Sequence, residues 1–119
     1  MKKMFFASAL LAFSSIATAG TGLNCSDENV LSELNQLEAC YTQVDSELNG
    51  TFKQLQALHK DGKQKMAALK QMQLGWIKMR DAQCDFQSMN SAGGGGAAQT
   101  AMRCIVEMTI QRDKELQAL

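Results

Sequence analysis

From Val30 onward the apolar residues recur at intervals of mostly four and three: Val30, Leu34, Leu37, Tyr41, Val44, Leu48, Phe52, Leu55 and Leu58. That spacing puts them on one stripe of an α-helix, whereas a half-buried strand would bury every second residue. No proline occurs in the chain, so nothing forces the helix to stop before the turn dipeptide Asp61-Gly62. Ser26, Asp27 and Glu28 offer an N-cap and negative charge at the positive end of the helix dipole, while His59 and Lys60 sit at the negative end. A second helix is expected over 63–86, with Met66, Leu69, Met72, Trp76, Met79 and Phe86 inward, before Asn90 to Gly96 breaks it. A third runs from Ala98 to Leu116 on a stripe of Ala101, Ile105, Met108 and Leu116, with Arg112 standing where an apolar residue belongs. The chain therefore reads as all-α, a bundle of about three antiparallel helices. The first is bent or split near Cys40, since residues 35–49 include several of only middling helix propensity.

Residues 1–19 read as a removable leader: Lys2 and Lys3, an apolar run from Met4 to Leu11 extended by Phe13 and Ile16, then Ala17-Thr18-Ala19 before Gly20. The run is shorter than the roughly 20 apolar residues of a spanning helix. Asn24 precedes Cys25, where lipid attachment would want a small residue, so no stable membrane anchor is expected. Cleavage near Ala19 leaves one domain, residues 20–119, periplasmic or secreted. Losing Lys2 and Lys3 leaves the mature chain at a formal charge of about −2. Without a basic patch, nucleic-acid binding lacks its main electrostatic term.

All four cysteines, Cys25, Cys40, Cys84 and Cys104, fall in the mature domain, and an even number in a small exported chain points to two structural disulfides. They are too scattered for a metal site, and His59 is the only histidine. Neither a metal nor another cofactor is expected. If the first two helices fold back about Gly62, Cys40 faces Cys84, which favours a Cys40–Cys84 bridge worth about 4 kcal/mol and leaves Cys25 for Cys104. Cys40–Cys104 with Cys25–Cys84 is the alternative if the third helix packs at the same height. Cys25–Cys40 is disfavoured by an unbroken helix, which would separate the two by roughly 22 Å, and a break near Cys40 would restore it.

The same folding-back places Asp45 beside the turn of Met79 and Arg80, and Asn49 beside Gly75 and Trp76. An Asp45–Arg80 ion pair is expected, within a polar layer of Asp45, Asn49, Trp76, Arg80 and Arg112 that sets helix register. The layer reads as structural more than as a recognition surface, with Arg80 laid on the Trp76 ring or on Asp45. One histidine supports no nucleophile–base pair, Asp81 and Asp85 fall on a solvated helix face, and the glycine run lacks the lysine and preceding strand of a phosphate cradle. The chain does not read as an enzyme.

Taken in order, Cys25, the run Asn35 to Cys40, Asp45, Leu48-Asn49, Phe52, Leu69, Gln73, Trp76-Ile77, Arg80-Asp81, Cys84, the glycine loop, Cys104, Thr109, Arg112 and Leu116 resemble the LprI-type lysozyme-inhibitor domain family. Phe52 stands where that family usually has Tyr, and the glycine run is longer. The resemblance implies an exported helical bundle that binds a lysozyme or another cell-wall hydrolase. The alternative is an envelope interaction or stress module without that activity. An inhibitor must reach a cleft lined by two carboxylates, so the candidate partner contacts are Lys60 and Lys63 at the first turn and the backbone amides of Gly93, Gly94, Gly95 and Gly96.

Overall fold

The computed structural model describes residues 22–90 and 96–119. Four helices follow one another there: α1 (Glu28–Leu31), α2 (Leu34–Leu58), α3 (Lys63–Ser88) and α4 (Gly96–Gln117), with no strand among the described residues. The expected leader, residues 1–19, lies outside them, as do Gly93, Gly94 and Gly95.

α1 is a single turn. Asp27 caps it, its carboxylate accepting from the Asn29 amide at 2.9 Å. Ser32 ends it by donating its hydroxyl to the Asn29 carbonyl at 3.0 Å. Glu33 then takes an extended conformation, φ −96° and ψ 119°, before α2 begins. The first helix is thus split at Ser32 and Glu33, not near Cys40, and α2 runs unbroken through residues 35–49.

That break decides the disulfides. Cys25 folds back onto α2 and pairs with Cys40, their Cα atoms 5.6 Å apart, while Cys84 pairs with Cys104 at 5.4 Å. Both favoured bridges, Cys40–Cys84 and Cys25–Cys104, are therefore corrected: the helix assumed to hold Cys25 away from Cys40 stops short of Cys25. The segment before Cys25 is held too. The Gln43 side chain accepts from the Leu23 amide and donates to the Leu23 carbonyl, both at 3.0 Å.

α4 is the central element. α3 returns antiparallel to α2 after Gly62, and α4 returns antiparallel to α3, so that it packs against both; their backbones each approach α4 more closely than each other. One core cluster joins Cys25, Leu31, Leu37, Cys40 and Val44 to Val106 of α4; a second joins Leu48 and Leu55 to Leu69, Trp76 and Leu116. The upper cluster is closed by α4 reaching the α1–α2 break: Gln99 donates to the Ser32 carbonyl at 3.4 Å, and Arg103 pairs with Glu28 and, at 3.1 Å, with Glu107.

The apolar stripes differ from the packed faces in two places. On α2, Leu34, Tyr41 and Leu58 lie in solvent, the first and last of them at the two ends of the helix. On α3 the buried face is Leu69, Gln73, Trp76, Arg80 and Cys84, while Met72, Met79 and Phe86 point outward. The anchoring of Cys84 to α4 and the burial of Trp76 set the rotation of α3, and residues at three- and four-residue steps from them turn inward whatever their polarity.

The pairing is directly testable. Trypsin under non-reducing conditions should release the segment ending at Lys53 free of any other peptide and join 81–103 to 104–112, whereas either crossed pairing, Cys40–Cys84 with Cys25–Cys104 or Cys40–Cys104 with Cys25–Cys84, would link the first segment to a later one. Replacing Cys84 and Cys104 together with Ser should lower unfolding free energy by about 3 kcal/mol in urea titrations, the chain-entropy value for a loop of this length.

Candidate functional site

The polar residues of α3 and α4 meet at the second core cluster. The Trp76 indole is 9% exposed, with the guanidinium carbons of Arg80 and Arg112 at 5.1 and 5.6 Å from its ring centroid. Both lie within cation–π range. Each charge has its own counter-ion: Arg80 with Asp81 at 2.9 Å, Arg112 with Glu115 at 3.1 Å. Each also binds across the helix pair. Arg80 Nη1 donates to the Thr109 hydroxyl at 3.3 Å, which in turn donates to the Ile105 carbonyl at 2.6 Å, and Arg112 Nε donates to Gln73 Oε1 at 3.4 Å. One turn further along, Met108 Sδ rests against the Cys84–Cys104 bridge, 3.6 and 3.9 Å from its two sulfurs.

Trp76, Arg80 and Arg112 are therefore together as expected, but the layer runs between α3 and α4. Asp45 and Asn49 stand apart from it. They line a groove of about 370 Å³ between α2 and α3, with Arg80 on its opposite wall. The expected Asp45–Arg80 ion pair does not form: the Asp45 carboxylate accepts from Asn49 at 3.4 Å, and Arg80 takes the adjacent Asp81. The Arg80 guanidinium is taken up by Asp81, Thr109 and the Trp76 ring, which leaves Asp45 at the rim. Gln73 and Thr109 were missed as members of the layer. Gln73 lies at helical spacing from Trp76 and Arg80, and Thr109 lies three residues before Arg112, so a face drawn through the unexpected arginines would have included both.

The candidate partner contacts separate. Lys60 and Lys63 stand exposed with Lys65 at the α2–α3 turn, where His59 closes α2 and Gly62 opens α3 without a side-chain cap. Gly96, exposed at the start of α4, lies beyond the other end of α3, a helix of about 39 Å. Gly96 and the lysines do not form one surface. Among the described residues no group of three or more His, Cys, Asp or Glu is placed to hold a metal ion, and no helix is long and apolar enough to cross a membrane.

A short capped turn and three long helices, stapled twice and locked by arginines paired within the bundle, define a small disulfide-bonded helical domain. Residues 25–116 match the family profile described as Lysozyme inhibitor LprI, and the chain belongs to that family. It is similar to an uncharacterized protein of Rhizobium meliloti (strain 1021), 28% identical over 95 residues that cover 80% of this chain and 68% of that one. No solved structure matches the chain. The family's description names an inhibitor.

Arg80→Ala should destabilise the fold by about 2–3 kcal/mol, through the lost charge-assisted bond to Thr109 and lost packing on Trp76. Asp45→Ala, which removes no ion pair, and Asp81→Ala, which removes a solvent-exposed carboxylate, should each cost under about 1 kcal/mol. Urea titration of the three variants measures the contrast.

Proposed function

We propose that the protein is exported and inhibits a lysozyme or related wall glycosidase by binding, with the α2–α3 turn entering the substrate cleft. The observation that carries this reading is the lysine cluster of that turn. Lys60, Lys63 and Lys65 all project into solvent at one tip of the molecule, and the uncapped amides of α3 open beside them. A glycosidase cleft holds two catalytic carboxylates, so a cationic tip reinforced by the positive end of a helix dipole meets opposite charge there. Two long helices joined by a turn of four residues form a narrow, pre-shaped wedge, which limits the ordering cost of docking. The protein's part in this is recognition and occlusion, with no bond made or broken. The two disulfides and the expected leader fit an oxidising compartment outside the cytoplasm.

Purified oxidised protein added in excess should suppress lysis of cell-wall substrate by lysozyme. Lys60→Glu combined with Lys63→Glu should raise the concentration needed for half inhibition at least about tenfold without lowering Tm, because exposed lysines carry little folding energy. Unchanged lysis with several lysozyme types would overturn the reading.

A further inference from the structure

The outward face of α3 carries a second pattern that neither the bundle core nor the lysine turn uses. Met72, Gly75, Met79, Ala82, Phe86 and Met89 follow one another at alternating steps of three and four, a seven-residue repeat of apolar and small residues. The large members are exposed: Met72 37%, Met79 47%, Phe86 67% and Met89 72%. Surface helices of small domains show apolar residues singly; a sustained seven-residue seam is the pattern of a helix that pairs with another helix.

We propose that the occupant of this seam is the same seam on a second copy, giving an antiparallel dimer with its two-fold axis between Arg80 and Asp81 of α3. A two-fold contact must be complementary to itself, and this one is. Rotation about that point sets Phe86 opposite Gly75 of the second copy and Met79 opposite Ala82, large against small at each step, with Met72 and Met89 closing the ends. Gly75 leaves an open site for the phenyl ring, since beyond its chain neighbours and its own helix backbone nothing lies within 4 Å of a Cβ placed there. The same rotation brings Lys78 beside Asp85 of the second copy, and Asp85 beside its Lys78, on the flank of the seam. Charge and size thus match under one operation, which a face made for an unrelated partner or a lipid surface has no reason to do.

The contact spans residues 72–89, about 27 Å of helix. A contact along one helix of this length belongs with small interfaces, those under about 1,200 Å² in total, so a reversible dimer with a Kd on the order of 10 μM is expected. The axis sends the two lysine turns to opposite ends, about 50 Å apart, so each remains free. The dimer does not rest on the lysozyme reading and stands or falls separately from it.

Sedimentation equilibrium of the mature, oxidised protein from about 1 μM to 1 mM, a range bracketing that constant, tests the proposal. A monomer–dimer equilibrium is expected, with Phe86→Glu and Gly75→Leu each weakening it at least about tenfold while leaving the helical signal and Tm intact, since both sites are exposed. Lys78→Asp alone should weaken association, and Lys78→Asp combined with Asp85→Lys should restore it, an outcome specific to the antiparallel register. A chain monomeric throughout, whether or not the seam binds detergent micelles or another protein, overturns the proposal. So does a dimer indifferent to Phe86→Glu and Gly75→Leu, or a charge swap that fails to restore association.

Discussion

Two guanidinium groups share one indole, and the placement of α3 and α4 follows from it. Arg80 and Arg112 carry like charges and would repel if each relied on Trp76 alone. Asp81 and Glu115 neutralise them from the solvent side, so the arginines reach the ring with their charges already balanced at the surface. The geometry requires α3 and α4 to be antiparallel, at one relative height and in one rotation. A shift of either helix by a turn would strand Thr109 and Gln73 from their donors and pull Leu116 off the second cluster. The Cys84–Cys104 bridge, with Met108 lying across it, pins the same register from the other side of Arg80. Covalent and polar constraints agree, and such agreement across levels is what lets a small core specify one packing.

α4 matters more than its late position suggests. It enters both core clusters, carries Arg103 to the α1 turn and Arg112 to Trp76, and accepts the second disulfide. The N-terminal segment is attached to α2 independently, by the Cys25–Cys40 bridge and the Gln43 clamp on Leu23. The interior charges are thereby committed to internal partners. The lysine turn and the outer face of α3 stay exposed.

The helical class, the turn at Asp61-Gly62 and the gathering of Trp76, Arg80 and Arg112 were legible because they rest on periodicity and on one residue out of pattern. Arg112 interrupting an apolar stripe was the clearest sign of the polar layer. The split of the first helix was visible only as a tendency, and it was placed too late. Ser32-Glu33 has neither glycine nor proline; it opens because the Cys25–Cys40 tether and the burial of Leu31 and Leu37 outweigh a modest propensity. Leu34 sits between those two in the apolar stripe yet faces solvent, which shows that the stripe's phase is interrupted there. The disulfide pairing was misjudged for the same reason. On α3 the methionines and Phe86 misled, since two equally regular faces exist and hydrophobicity does not say which of them meets α4.

Both bridges join cysteines that are consecutive in the chain, the first with the second and the third with the fourth. For a polypeptide that crosses a membrane amino end first, each cysteine awaiting a partner finds it in the next one to emerge. Oxidation in order of appearance then yields the native pairing with no wrong bond to undo. Thiol–disulfide exchange, otherwise a slow step measured in seconds to hours, drops out of the route to the folded state. An oxidase suffices where a crossed connectivity would have called for an isomerase as well.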